Sequence, residues 1–357
     1  MHSCFKYGRL LCAAIAILGT GCVGVIHTPY GGPASANDPT AIQALNGNDY
    51  LAYTPRPFIP DWQQAATPAE DPYNKFSLTF PPSIPDAPIL HSIEAIYYQS
   101  KQPAAKPLII ILPIWGSYTY PPERLAKMIQ KKSRGGANIL QVNGDATLFD
   151  WNRMKAAASE EEFVQLSSDY YEKIVSVVIG LRHIVDWAKA ESDLDADRIG
   201  VTGFSMGAIV AAIALGRDPR FRAGVLVMGA GNPGEVFATC DGKPGAVRDT
   251  IMDRFDWSIE QYQAIFDELF KPGDPEKFKG RYQPEKLLIV EASLDNCMSK
   301  AAREALWDAT GEPERIKLLA RHKMAFLSMT PLGLNYTTRK IYNFLERQLD
   351  ISDKPEK

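Results

Sequence analysis

Ser205 stands between two glycines in the run Val201-Thr202-Gly203-Phe204-Ser205-Met206-Gly207, and a serine placed this way is a candidate nucleophile. Its hydroxyl is a weak nucleophile on its own, so the chemistry needs a nearby base to take the proton and donors to hold the oxyanion of an attacked carbonyl. The elements around it suit that task. Asp197 to Thr202 is a short, β-branched run bounded by turn residues, and Met206 to Leu215 is rich in glycine, alanine and apolar residues at helical length. Strand, sharp turn and helix make a nucleophile elbow, with the serine oxygen projecting from the end of a sheet. At Gly203 or Gly207 a side chain would collide with the neighbouring strand or with the helix behind the serine. The helix start also offers oriented N–H groups, and the backbone N–H of Met206 is a candidate oxyanion donor.

The run Asp195-Ala196-Asp197-Arg198-Ile199-Gly200-Val201-Thr202-Gly203-Phe204-Ser205-Met206-Gly207 resembles the α/β-hydrolase superfamily, and within it the dienelactone hydrolase-like and prolyl oligopeptidase-like esterases. It departs from many of them at Ala208, where a third glycine is common. The resemblance spans about residues 74 to 349. It implies an α/β fold with a mostly parallel eight-stranded sheet, helices on both faces and a small lid insertion. It further implies hydrolysis of a small-molecule ester through an acyl-enzyme, with no metal and no organic cofactor.

The partners of Ser205 must come from the exits of other strands. Lys286 to Ala292 reads as a strand whose exit, Ser293-Leu294-Asp295, puts an aspartate at the same sheet edge as the elbow. Relatives tend to have glycine where Ala292 stands; Glu235, after the preceding strand, is the other candidate acid. Arg315 to Leu319 reads as the last strand, and His322 in the loop beyond it is the sole histidine after the elbow. Ser205, Asp295 and His322 then follow the chain order of this superfamily, nucleophile, acid, base. The continuous apolar run Pro107 to Pro113 reads as a strand buried on both faces. Its exit occupies the place where α/β-hydrolases supply a second oxyanion N–H, which assigns that role to Trp115, with Ile114 as its neighbour in register. His183 lies within a helical stretch, Ser159 to Glu191, and reads as a packing residue.

At 357 residues and a net charge of −3, the chain can bury a large core and carries no basic field for nucleic acid. The other histidines and the cysteines are scattered, without metal-ligand spacing. Lys6 and Arg9 precede an apolar run from Leu10 to Leu18, which at nine residues is too short to span a bilayer. Residues 1–21 therefore read as an export signal. Leu18-Gly19-Thr20-Gly21-Cys22 resembles a bacterial lipobox, its leucine one place further from the cysteine than usual, so Cys22 is the expected lipidation site and the cell envelope the expected location. Residues 22–73, rich in Pro, Gly, Ala, Asn and Thr, read as a tether and extension, with the aromatics from about Tyr50 lying on the domain surface. Residues 74–349 form the hydrolase domain, with a lid insertion at about 230–280, and 350–357 a polar tail. Cys240 and Cys297 are left as either a disulfide or two buried thiols.

The same triad serves esterases, thioesterases, acyltransferases and peptidases, so the elbow alone does not choose among them. The large propeller that usually precedes a prolyl oligopeptidase-type hydrolase has no room in residues 22–73. A lipid-anchored envelope protein that keeps the fold without turnover is the reading of a different class.

Overall fold

The computed structural model describes residues 24–34, 51–84, 91–114, 120–145, 148 and 150–351. Its centre is a ten-stranded sheet in the order β1-β10-β9-β8-β7-β5-β6-β4-β3-β2. The middle six strands are parallel: β5 (Lys106–Leu112), β6 (Asn138–Val142), β7 (Leu194–Phe204), β8 (Phe221–Val227), β9 (Leu287–Ala292) and β10 (Glu314–Leu318). Pro107 to Leu112 is buried throughout, as a run without alternation must be when helices cover both faces. At one edge β4 (Ile93–Ser100), β3 (Tyr73–Phe80) and β2 (Asp61–Ala65) continue the sheet as an antiparallel meander. At the other edge β1 (Val25–Thr28) pairs antiparallel with β10.

The expected sheet of eight strands is thus ten, and both additional strands, β1 and β2, come from the segment expected to be a tether. Both are short, mostly exposed edge strands. Backbone hydrogen bonds to a neighbour hold such strands with no buried apolar face, so neither carries the alternation that marks a strand in sequence. Between these two strands in the chain, Leu51 and Phe58 are buried, and Phe58 stacks on Phe80 (5.4 Å) and on His183 (4.9 Å). Tyr53 donates to Asp186 and lies 4.0 Å beneath the Arg182 guanidinium. Leu51 and Phe58 thus reach into the core, while Ala52, Thr54, Pro55 and Pro57 between them stay exposed on its surface.

Two apolar cores flank the sheet. On one face α1 (Pro122–Ser133) and α10 (Tyr336–Leu349) cover Ile109, Ile111, Val225 and Val290. On the other, α3 (Glu160–Ala190) and α4 (Met206–Arg217) cover Leu108, Ile110, Leu112 and Leu226. The stretch around His183 is one helix of 31 residues, started by Ser159 accepting from the Glu162 N–H while the Glu162 carboxylate accepts from Ala158. The preceding short helix is α2 (Trp151–Ala156).

Between β8 and β9 the chain forms α5 (Pro233–Thr239), α6 (Lys243–Phe255) and α7 (Ile259–Phe270), then three short 3₁₀ turns. A capping box of Ser258 and Gln261 starts α7. Phe266 stacks on Phe237 at 4.1 Å and meets Phe163 of α3 edge-on at 6.1 Å. The aromatics of this insertion thus close over the α3 side of the core. The remaining α-helices among the described residues are α8 (Lys300–Ala309) and the single turn α9 (His322–Ala325).

The order of the strands locates the crevice. From β5 the chain moves outward to β6, and from the adjacent β7 it moves the other way to β8. The carboxyl ends of β5 and β7 therefore flank a topological switch point, where open α/β sheets bind their ligands.

Candidate active site

β7 ends at Phe204, and Ser205 turns the chain into α4 with φ 53° and ψ −117°. A serine at positive φ is strained, and the surroundings hold it there. Its N–H donates to Val227 O of β8 at 2.8 Å, and its carbonyl accepts from Ala208 N at 2.8 Å. A Cβ on Gly203 would lie 2.0 Å from Gly207 O, and one on Gly207 would lie 2.3 Å from Pro113 O. The first clash is with the helix start and the second with the exit of β5, so the elbow needs glycine at both positions. Met206 is the first residue of α4, whose opening N–H groups have no acceptor inside the helix.

His322 begins α9, four residues after β10 ends. Its Nε2 lies 3.1 Å from Ser205 Oγ and its Nδ1 2.7 Å from Asp295 Oδ2. Phe326, one turn on, meets the imidazole edge-on at 5.8 Å. Asp295, in the loop after β9, has a fully buried side chain. Its Oδ1 accepts the N–H groups of Cys297 (2.8 Å) and Met298 (2.9 Å), which leaves Oδ2 for the imidazole. A carboxylate only accepts, so Nδ1 carries the proton and donates, and Nε2 is left to accept from the serine hydroxyl. Ser205 is 9% exposed and the His322 side chain 12%, so the serine oxygen is sheltered yet not sealed.

The structure thus brings together Ser205, Asp295 and His322. Asp295, and not Glu235, is the carboxylate bonded to His322; Glu235 lies in the first turn of α5. Trp115 and Cys22 lie outside the described residues, while the ends of the loop that contains Trp115 are placed. Pro113 lies against the first turn of α4, and Tyr120 donates to Phe326 O at 2.6 Å. His183 is buried, and desolvation, aided by the charge of Arg56, pushes its pKa down to about 4. It is a neutral packing residue 22 positions before the elbow.

Three supports of the acid loop went unread or undecided in the sequence. Cys240 and Cys297 form a disulfide, which ties the loop to the end of α5. Asp241 and Asn296 exchange two hydrogen bonds beside it, at 3.1 and 3.0 Å. Arg303 of α8 donates to Met298 O and Ser293 O, on either side of Asp295. Its charge faces Glu291, which is buried with Arg315 as a partner at 2.6 Å. No short-range signal announces these contacts, because each joins segments far apart in sequence or on separate elements. Among the described residues no group of three His, Cys, Asp or Glu could hold a metal ion.

The strand order, the elbow and the position of acid and base after β9 and β10 define the α/β-hydrolase fold. No protein-family profile and no curated protein matches the chain in sequence. Solved structures share the fold at low identity. An acetyl xylan esterase from Paenibacillus sp. R4 aligns with TM-score 0.57 and 16% identity over 82% of this chain and 90% of its own. Acetyl xylan esterase 1 from Thermoanaerobacterium sp. JW/SL YS485 aligns with TM-score 0.50 and 13% identity over 74% and 81% of the two chains. A cold-adapted esterase from an Arctic intertidal metagenomic library aligns with TM-score 0.50 and 13% identity over 81% and 99%.

Proposed function

We propose that the protein is a serine hydrolase acting on carboxylic esters, of the dienelactone hydrolase-like branch, exported to the bacterial cell envelope and lipid-anchored at Cys22. The observation that carries the reaction is the hydrogen-bonded chain from Ser205 Oγ through His322 to Asp295, at 3.1 and 2.7 Å. Ser205 Oγ attacks the ester carbonyl while Nε2 of His322 takes the hydroxyl proton. Asp295 holds the tautomer that leaves Nε2 free and stabilises the imidazolium. The N–H groups of Met206 and Trp115 hold the tetrahedral oxyanion. The same Nε2 proton then goes to the departing alcohol, leaving an acyl-Ser205, and water activated by His322 releases the acid. That esters and not amides are the substrate draws support from the neighbours in fold, described as esterases. The steps above use no metal or organic cofactor. Export and lipidation rest on the sequence around Cys22.

The test is intact-mass labelling by a fluorophosphonate of the wild type and of Ser205→Ala and His322→Ala. One adduct on the wild type, absent from both variants, is the expected result, and turnover of a short-chain ester panel should follow the same pattern. A folded wild type that takes no adduct would refute the hydrolase reading and favour an envelope protein that keeps the fold without turnover.

A further inference from the structure

Eight of the eleven exposed large apolar side chains among the described residues lie on β1 or around the candidate site. Six of these, Leu294, Leu319, Met324, Leu327, Leu332 and Leu334, surround the acid loop and the segment that carries His322. They form one collar. Leu294 N–H donates to Ala320 O at 3.0 Å, and the 330–334 turn lies so close to Leu327 that a Cβ on Gly333 would sit 2.4 Å from its carbonyl. All of them emerge at the edge where β10 ends at Leu318 and from which α10 departs at Tyr336. Leu332 and Leu334, at 87% and 72% exposure, stand furthest out. Soluble surfaces seldom gather exposed apolar side chains this way without a partner. Arg321 and Lys323, both exposed, sit among them.

The course of the chain into β1 is an independent observation. Val25 pairs with Leu318, the last residue of β10, so the chain reaches β1 from the same edge as the collar. Gly24 O accepts from Leu319 N at 2.7 Å. Cys22 is two residues earlier in the sequence, and a chain spans at most roughly 3.6 Å per residue. On the lipidation reading, Val23 alone separates Cys22 from Gly24, whose carbonyl is bonded to Leu319 three residues before His322, so the sequence offers no long spacer between lipid and domain.

We propose that the collar docks on a lipid bilayer and turns the mouth of the Ser205–His322 site toward it. The orientation rests on the lipidation reading above; the apolar collar does not. Leucines enter the acyl boundary and Arg321 and Lys323 meet anionic headgroups, so the collar fixes the orientation of a domain that a lipid chain alone would leave free to turn. With the serine-hydrolase reading, an ester dissolved in the bilayer reaches Ser205 without crossing bulk water.

The test uses a chain beginning at Val23, which retains every described strand and helix and lacks Cys22. It is floated with vesicles of phosphatidylglycerol and phosphatidylethanolamine beside its L332E/L334E variant. The wild-type chain should bind, and the variant should lose at least about tenfold in partition at unchanged melting temperature and unchanged fluorophosphonate labelling in solution. Absence of vesicle binding, or equal binding by the variant, would overturn the proposal. So would a dimer in vesicle-free solution that the variant disperses, since a second copy would then be the occupant. Because binding is read without turnover, vesicle binding by a chain that Ser205 chemistry does not label would count against the hydrolase reading alone.

Discussion

Replacing Asp295 with asparagine tests the geometry of the site at the level of single atoms. Asp295 Oδ1 accepts two backbone N–H groups, from Cys297 and Met298, and Oδ2 faces His322 Nδ1 at 2.7 Å. In Asp295→Asn the single remaining oxygen must take the Oδ1 position, because an amide NH₂ there would point donors at donors. The NH₂ then occupies the Oδ2 position and donates to Nδ1, which forces the imidazole proton onto Nε2, facing Ser205. The base is present, in place and in the wrong tautomer. Such a change costs about 10⁴ in kcat, or about 5.5 kcal/mol of transition-state stabilisation at 1.36 kcal/mol per decade. Shape and hydrogen-bond count are nearly conserved, so KM and the melting temperature should hardly move. The assay is steady-state hydrolysis of a p-nitrophenyl acyl ester, with circular dichroism to confirm the fold. A folded variant that loses less than about a hundredfold in kcat would show that Asp295 does not set the tautomer of His322, and the mechanism above would fail.

Three further outcomes follow from the same contacts. Reducing the Cys240–Cys297 disulfide, which closes a separation of 57 residues, should cost about 4 kcal/mol in the loop-entropy model. It should lower the urea midpoint and also kcat, since Cys297 N–H holds Asp295; a midpoint unchanged by reductant would count against the bond. Gly203→Ala should destabilise by more than about 3 kcal/mol and yield little soluble protein, because its Cβ meets backbone atoms of Gly207 and Ala208 that cannot turn aside; near-normal yield and melting would contradict the elbow geometry. Burial, with the charge of Arg56, pushes His183 down to about 4, so the unfolded chain takes up its proton first on acidification. Stability from this group is present above about pH 6.5 and lost as pH falls toward 4, a component of the urea-midpoint profile that His183→Phe should remove.

How far the sequence anticipates the structure depends on whether a feature is local. Each triad residue sits at the exit of a strand that its own apolar run announces: Ser205 after β7, Asp295 after β9, His322 after β10. In a parallel sheet all such exits fall at one edge, so the order of the strands along the chain was enough to expect the three together. The supports of the site are of another kind. Arg303 reads as an ordinary charged residue of an amphipathic helix, and only the packing of α8 against the acid loop brings its guanidinium to two carbonyls there. Cys240 and Cys297 come from separate loops, and only the fold sets the distance between them. The same argument explains β1. A four-residue exposed strand has no pattern of its own and exists because β10 offers it unpaired backbone groups. That pairing changes the functional reading, because it moves the point where the chain leaves the sheet from a distant tether to the rim of the site. The chemistry is written in short motifs, while the orientation proposed for the site rests on a contact between residues almost 300 positions apart, Val25 and Leu318.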